Sequence, residues 1–248
     1  MPHPAHEDDG NSMSNPKQKA ASREEEIAFQ VLEQALGVTI QLADAGSGPR
    51  QPDGVWTRPD GVGTQGVVEV TSPPDEELMR KWARAKREGE PQVESGSVAL
   101  RWGELGQVCS ELLEEDWAKA NVAKLLAYPA FEHHLFLHAR SYRVENYFNR
   151  LSDDPATNPP EEIGDLILPD GVTDVWFRGR SKRLGREVLG DWILRVARYN
   201  VVAGWCRLTV EISERSLPAP NHDLATDRAP DGWRAPTLRK VSEPSGAD

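Results

Sequence analysis

Two short runs of strand-forming residues, Val55-Trp56-Thr57 and Gly66-Val67-Val68-Glu69-Val70-Thr71, flank the segment Arg58-Pro59-Asp60-Gly61. β-Branched and aromatic side chains suit the pleated backbone, whereas Pro-Asp-Gly presets the dihedrals of a tight turn. The segment therefore commits to an antiparallel β-hairpin. Centring the tip between Asp60 and Gly61 pairs residues whose numbers sum to about 121, within one or two. Asp53 then lies across from Val68 or Glu69. Side chains alternate along a strand, so Val67, Glu69 and Thr71 share one face while Val68 and Val70 share the other.

On either side of the hairpin the periodicity changes. Ser22-Arg23-Glu24-Glu25 has the pattern of a capping box, after which Ile27, Ala28, Val31, Leu32, Ala35 and Leu36 recur at helical spacing until Gly37. Val38 to Leu42 alternates as a short strand. Ser72-Pro73-Pro74-Asp75 breaks the hairpin's second strand and opens a charged helix to about Arg87, whose leading Asp75, Glu76 and Glu77 suit the positive end of the helix dipole. Ser97 to Trp102 reads as a strand. Val108, Leu112, Leu113, Trp117, Ala120 and Ala123 mark one long amphipathic helix ending near Tyr128-Pro129. His134 to His138, Val175 to Phe177 and Trp205 to Val210 read as further strands, and Trp192 to Val202 is mixed between helix and strand. Alternating strands and helices predict an α/β fold, a mixed central β-sheet flanked by helices.

Not all of the 248 residues fit that domain. Residues 1–20 carry almost no large apolar side chain, and residues 217–248 are rich in Pro, Asp, Asn and Ser. Neither end buries enough apolar surface to offset chain entropy, so both are expected to be disordered tails around a single domain at 21–216. No apolar run reaches the length of a membrane span, and no secretory signal precedes the domain, so the expected location is the cytoplasm with no membrane partner. Cys109 and Cys206 lack metal-type spacing and read as reduced core thiols. A net charge of −11 argues against indiscriminate wrapping of nucleic acid but leaves room for a local basic site. Two basic runs, Arg80 to Arg87 and Arg178 to Arg186, are read as a solvated helix face and a solvated loop.

Several other motifs carry little chemistry. His133 faces away from His134 and His138 on a strand, so the three cannot ligate one ion, and buried structural histidines are expected. Gly46-Ser47-Gly48 lacks the Lys-Ser/Thr of a phosphate loop, and no Gly-x-Ser-x-Gly elbow is present. Of the eight tryptophans, Trp102, Trp117, Trp176 and Trp205 fall on apolar faces and are read as core.

The pair Asp53 and Glu69 is different. Directly opposed, their side chains start about 5 Å apart. Two like charges there repel by roughly 3 kcal/mol at an effective dielectric near 20. A cation, a shared proton or full solvation relieves this, and Mg²⁺ or Mn²⁺ is the cation reading, since hard ions take carboxylate oxygen. The plain alternatives are a turn aspartate at Asp53 and a water-facing Glu69. Glu24 adds to the ion reading: at about 100° per residue it points within roughly 30° of the centre of the first helix's apolar face.

A glutamate on the first helix, then Pro-Asp, then a hairpin into Val-Glu-Val-Thr resembles the PD-(D/E)XK, restriction-endonuclease-like nuclease superfamily. It also looks like uncharacterised bacterial proteins with an Asp-Gly hairpin into an "EVT" strand. The resemblance covers Ser22 to about Arg87. It implies that Glu24, Asp53 and Glu69 bind Mg²⁺ and that a lysine two residues after Glu69 assists the attacking water. This chain has Thr71 there, a neutral hydroxyl. In some nuclease-like folds the lysine moves to the following helix, which nominates Lys81. The resemblance thus implies a divalent-metal-dependent phosphodiester hydrolase acting on DNA or RNA, with catalysis by Asp53, Glu69 and Lys81. The alternatives are a non-catalytic interaction or regulatory module on the same scaffold, and a small-molecule binder using Glu69.

Overall fold

The computed structural model describes residues 21–43, 51–59, 63–90, 99–154, 156, 163–185, 190–218 and 239. A single seven-stranded sheet runs in chain order: β1 (Gln41–Leu42), β2 (Gly54–Thr57), β3 (Gln65–Thr71), β4 (Glu132–Leu137), β5 (Asp174–Arg183), β6 (Asp191–Asn200) and β7 (Gly204–Ser213). β1, β2 and β3 form an antiparallel meander, β3, β4 and β5 are parallel, and β5, β6 and β7 are antiparallel again. The mixed α/β architecture is the expected one.

Helices cover both faces. α1 (Arg23–Leu36) lies on one side, and its Ile27, Phe29, Val31 and Leu32 pack with Val68, Phe136, Trp176, Val196, Val210 and Ile212. The other face carries α3 (Leu105–Leu113), α4 (Asp116–Leu126) and α5 (Tyr142–Ser152), packed on Val67, Leu135, Leu137, Val175 and Phe177. α2 (Glu76–Glu88) buries only Leu78. The two parallel joins need long crossovers; α2, α3 and α4 fill the first and α5 the second.

Local chemistry explains the element ends. Ser22 and Glu25 form the expected capping box, and Gly37, at φ 68°, closes α1 in the left-handed region. Asp75 caps α2 by accepting from Leu78 N. Gly66 stands opposite Trp56, whose indole fills the space a Cβ would need. Among the described residues, no helix is long and apolar enough to cross a membrane.

Several expectations are corrected. The strand at Val38 to Leu42 shrinks to Gln41–Leu42. The strand from Ser97 falls partly outside the described residues, and its end is a 3₁₀ turn at Trp102–Glu104. The long helix is two, because extended backbone at Glu115 (ψ 154°) breaks it and rephases its buried stripe to Ala118, Val122 and Leu125. α5 gave no sequence signal that was read. Arg178 to Arg183 belong to β5 and pair with β6: Arg178 is partly buried against His138, and Arg180 to Arg183 extend beyond the core as a solvated ribbon, where exposure erases the apolar alternation. Cys109 is buried as expected but Cys206 is exposed. The tail boundary also moves. Leu217 is buried against α1, and Arg239 donates to Glu26, Glu33 and Ile40 O over the ring of Phe29. The rest of both expected tails lies outside the described residues.

Candidate functional site

The register of the hairpin is Gly54↔Val68 and Val55↔Val67, one residue beyond the centred estimate, so Asp53 continues the ladder opposite Glu69. Three bonds fix Asp53. Its N–H donates to Val68 O at 3.0 Å, its carbonyl accepts from Ala43 N at 3.1 Å, and its Oδ2 accepts from Val70 N at 2.7 Å. The side chain thus takes the role of a strand carbonyl, which an aspartate's short stem can fill. Its other oxygen is left facing along the sheet.

Glu69 alternates with Val67 and therefore lies on the face covered by α3, α4 and α5. Both carboxylates are buried, and both meet one ammonium. Lys124 Nζ, from α4, is 2.9 Å from Glu69 Oε1 and 3.4 Å from Asp53 Oδ1. Its side chain is 23% exposed, against 9% for Asp53 and 4% for Glu69. The helix that returns the chain from β3 to β4 therefore carries the missing positive charge over the carboxylate strand.

The electrostatics follow from this burial. Desolvation pushes the Asp53 carboxyl above the usual carboxylate range, with the charge of Lys124 and the Val70 N–H countering only part of it and Glu25 adding a like charge. For Lys124, desolvation works against the ammonium, but the charge of Asp53 and the hydrogen bond and charge of Glu69 outweigh it and raise its pKa. The site is a mostly buried, net-negative trio in which one cation meets two carboxylates.

The other nominated residues are placed differently. Glu24 is exposed on α1, on the opposite face of the sheet from Glu69, and its backbone carbonyl takes a bond from His138 Nε2 at 3.1 Å. Although the wheel directs Glu24 toward the apolar stripe, it is exposed in the first turn of α1, while Ile27 to Phe29 and Val31 to Leu32 are buried. Lys81 is exposed on α2 and is not the lysine that reaches the carboxylates. Thr71 closes β3, half-buried, with its carbonyl accepting from His138 N at 2.9 Å. Lys124 was passed over because it sits beside the apolar stripe of α4 and reads as a solvated flank. The signal was a long-stemmed cation next to Val122 and Leu125 on a crossover helix that must return onto the sheet.

His134 and His138 are buried and His133 is partly so, as expected of strand histidines. His134 is buried between the rings of Trp56 and Trp176; its Nδ1 accepts from Trp176 Nε1 at 3.1 Å, and its Nε2 lies 3.1 Å from Asp174 Oδ2. Burial drives its pKa down to about 3, so it stays neutral. Arg198 and Asn200 occupy Asp174 Oδ1. His138, also buried and neutral, accepts from Arg178 Nη1 at 3.0 Å through Nδ1.

Among the described residues no three His, Cys, Asp or Glu side chains are grouped to hold a metal ion. Asp53 and Glu69 nonetheless form a pair whose oxygens face one cationic point, and Mg²⁺ is commonly held by one or two carboxylates while keeping several waters. Asp53 Oδ1 and Glu69 Oε1 are the oxygens that could take a hard divalent ion, at the point the ammonium holds. Comparison with family models, with curated proteins and with solved structures finds no match to this chain.

Proposed function

We propose that Asp53, Glu69 and Lys124 are the centre of a divalent-metal-dependent phosphodiester hydrolase acting on nucleic acid, a divergent relative of the restriction-endonuclease-like nucleases. The observation that carries this reading is the convergence of a lysine from a crossover helix on two buried carboxylates, at the β-strand whose own lysine position is Thr71. The mixed sheet with helices on both faces agrees with such a scaffold. Asp53 Oδ1 and Glu69 Oε1 would hold Mg²⁺ or Mn²⁺, which would polarise a phosphoryl oxygen and lower the pKa of a water.

The chain's own residues then have separate tasks. The Val70 N–H and the Ala43–Asp53–Val68 ladder orient Asp53, so that one oxygen is preset while the other is tied down. Lys124 offsets one of the pair's two charges in the resting protein, and its flexible stem lets the ammonium turn to the negative charge that builds on phosphate in the transition state. The Asp53 carboxyl, raised by burial, can hold a proton when the cation leaves.

The test is cleavage of single- and double-stranded DNA and RNA in Mn²⁺ by the full chain and by Asp53→Asn, Glu69→Gln, Lys124→Met and Lys124→Arg. The expected pattern is loss with the carboxylate variants, loss with Met and partial retention with Arg. Cleavage that survives Asp53→Asn places the chemistry elsewhere. A second reading, a non-catalytic module, has one observation in its favour: an ammonium of the chain's own already holds the point between the two carboxylates. Absence of cleavage with a Mn²⁺-independent melting point would favour it.

A further inference from the structure

At the far end of α5 the same face of the sheet carries a cleft of about 360 Å³, lined by Trp102, Asn146, Arg150, Asp153 and Arg180. Trp102 is 43% exposed, although its apolar context marked it as core. Its indole packs T-shaped with Tyr147, ring centroids 5.9 Å apart, which steadies the ring while much of it stays open to solvent. Asp153 is the one carboxylate among the lining residues, and its Oδ1 is 3.8 Å from Arg195 Nη1. Behind the helix end stands Arg207 of β7. Its Nε donates to Leu151 O at 2.7 Å, but its Nη1 and Nη2 are buried with no hydrogen-bond partner among the described residues.

A guanidinium with two idle donors inside a protein is costly unless an acceptor arrives. Arg207, half-buried, interacts electrostatically with Asp153, Arg150 and Asp154, so its charge reaches the cleft with the two carboxylates offsetting part of it. The planar forks of Arg150 and Arg180 suit bidentate contact with phosphate oxygens. An exposed, steadied indole beside them offers a π-face, and Asn146 offers an amide that both donates and accepts. Along the outer side of α5, Arg143, Asn146 and Arg150 recur at helical spacing over about 10 Å. The stripe starts beside Pro73 and Pro74, which Arg143 meets in a second cleft just past the end of β3. It leads from the strand that carries Glu69 to the Trp102 cleft.

We propose that this cleft is a subsite for single-stranded nucleic acid: Arg150 and Arg180 bind a phosphate, Trp102 stacks a base, and Arg207 supplies the positive potential behind them. The inference rests on the nucleic-acid reading above for its ligand, and concerns residues outside the Asp53–Glu69–Lys124 trio. Unpaired bases have free faces for stacking, which a duplex does not, so the strand and not the duplex is the ligand.

The test is fluorescence anisotropy of a labelled single-stranded dodecanucleotide with the full chain in EDTA at low salt, where cleavage is blocked. Trp102→Ala and Arg180→Glu should each weaken binding roughly tenfold, within the five- to hundredfold range of one stacking platform. The indole emission quenched on binding should be largely absent in Trp102→Phe, a readout that a loss of stability alone does not produce. The idea is overturned if the strand does not bind, if both variants bind as wild type does, or if duplex or a free mononucleotide binds equally well. Binding with these properties but no cleavage in Mn²⁺ refutes the hydrolase alone. Cleavage with no effect of Trp102 or Arg180 refutes the subsite alone.

Discussion

Replacing Lys124 with Met keeps the stem and removes the charge that separates Asp53 from Glu69. In wild type the ammonium lies 2.9 Å from one carboxylate and 3.4 Å from the other. Removing it leaves two buried anions repelling by about 3 kcal/mol at an effective dielectric near 20. Breaking a fully buried ion pair typically costs about 3–5 kcal/mol. Here Lys124 is 23% exposed, so water reaches the gap and screens part of the loss. The expected destabilisation at pH 8 in EDTA is therefore about 2–4 kcal/mol, seen as a fall of roughly 5–15 °C in melting temperature for a domain of this size.

The pH dependence of that deficit is diagnostic. Burial already raises Asp53 in the wild type, and without Lys124 its pKa must rise further. A carboxyl whose folded pKa exceeds its unfolded pKa takes up a proton in the native state first, so stability increases as pH falls through that window. The deficit should thus shrink as the pH is lowered from 8. Mn²⁺ should shrink it too, because the ion binds only the folded pair, and by more than it stabilises wild type, where the ammonium competes. Thermal melts followed by circular dichroism, with and without Mn²⁺, measure all three effects. A variant within about 0.5 kcal/mol of wild type at pH 8, the range of an ordinary surface substitution, would refute the reasoning.

Asp53→Asn keeps an acceptor for Val70 N–H but removes the charge, and should abolish any Mn²⁺-dependent rise in melting temperature; a retained rise would locate the ion elsewhere. Lys81→Ala should change neither melting temperature nor cleavage, since Lys81 is exposed on α2; a clear loss of cleavage would restore it as the relocated cation. Gly54→Ala brings a methyl to 2.6 Å from Ile40 Cγ2 and 2.9 Å from Phe29 Cε1, and should cost about 1–3 kcal/mol in chemical denaturation. The neutral, buried His134, with its pKa near 3, titrates at about 6.5 when unfolded, so the unfolded chain binds the extra proton between those values. Denaturation midpoints should fall as pH drops below about 6.5, and His134→Gln should flatten that slope; an unchanged slope would assign it to other groups.

Much of the site's scaffold is a matter of local chemistry, and local chemistry is legible. The strand-forming runs on either side of the tip, which itself lies outside the described residues, pair as a hairpin; alternation puts Glu69 opposite the face of Val68 and Val70, and the two-stranded register brings Asp53 across from Glu69 within one residue. The Ser22–Glu25 capping box is likewise contained in four consecutive residues. Each of these rests on a period of two or 3.6 residues, or on a turn's dihedral needs, and none involves a distant partner.

The remainder depended on which elements meet. The side on which α1 packs put Glu24 on the wrong face, and no periodicity within a helix says which face of a sheet it will cover. Pairing with β6 turned the Arg178–Arg183 run into strand. Above all, Lys124 stands 55 residues from Glu69 and 71 from Asp53, on a helix that the parallel β3–β4 crossover must carry back over the sheet. In the sequence alone it is one more flanking lysine on an amphipathic helix. The hairpin left a cation, a shared proton or full solvation open as relief for the two like charges; only the packing of α4 on β3 decides for a cation and which one answers, because the desolvation that makes the contact matter arises when the layers close.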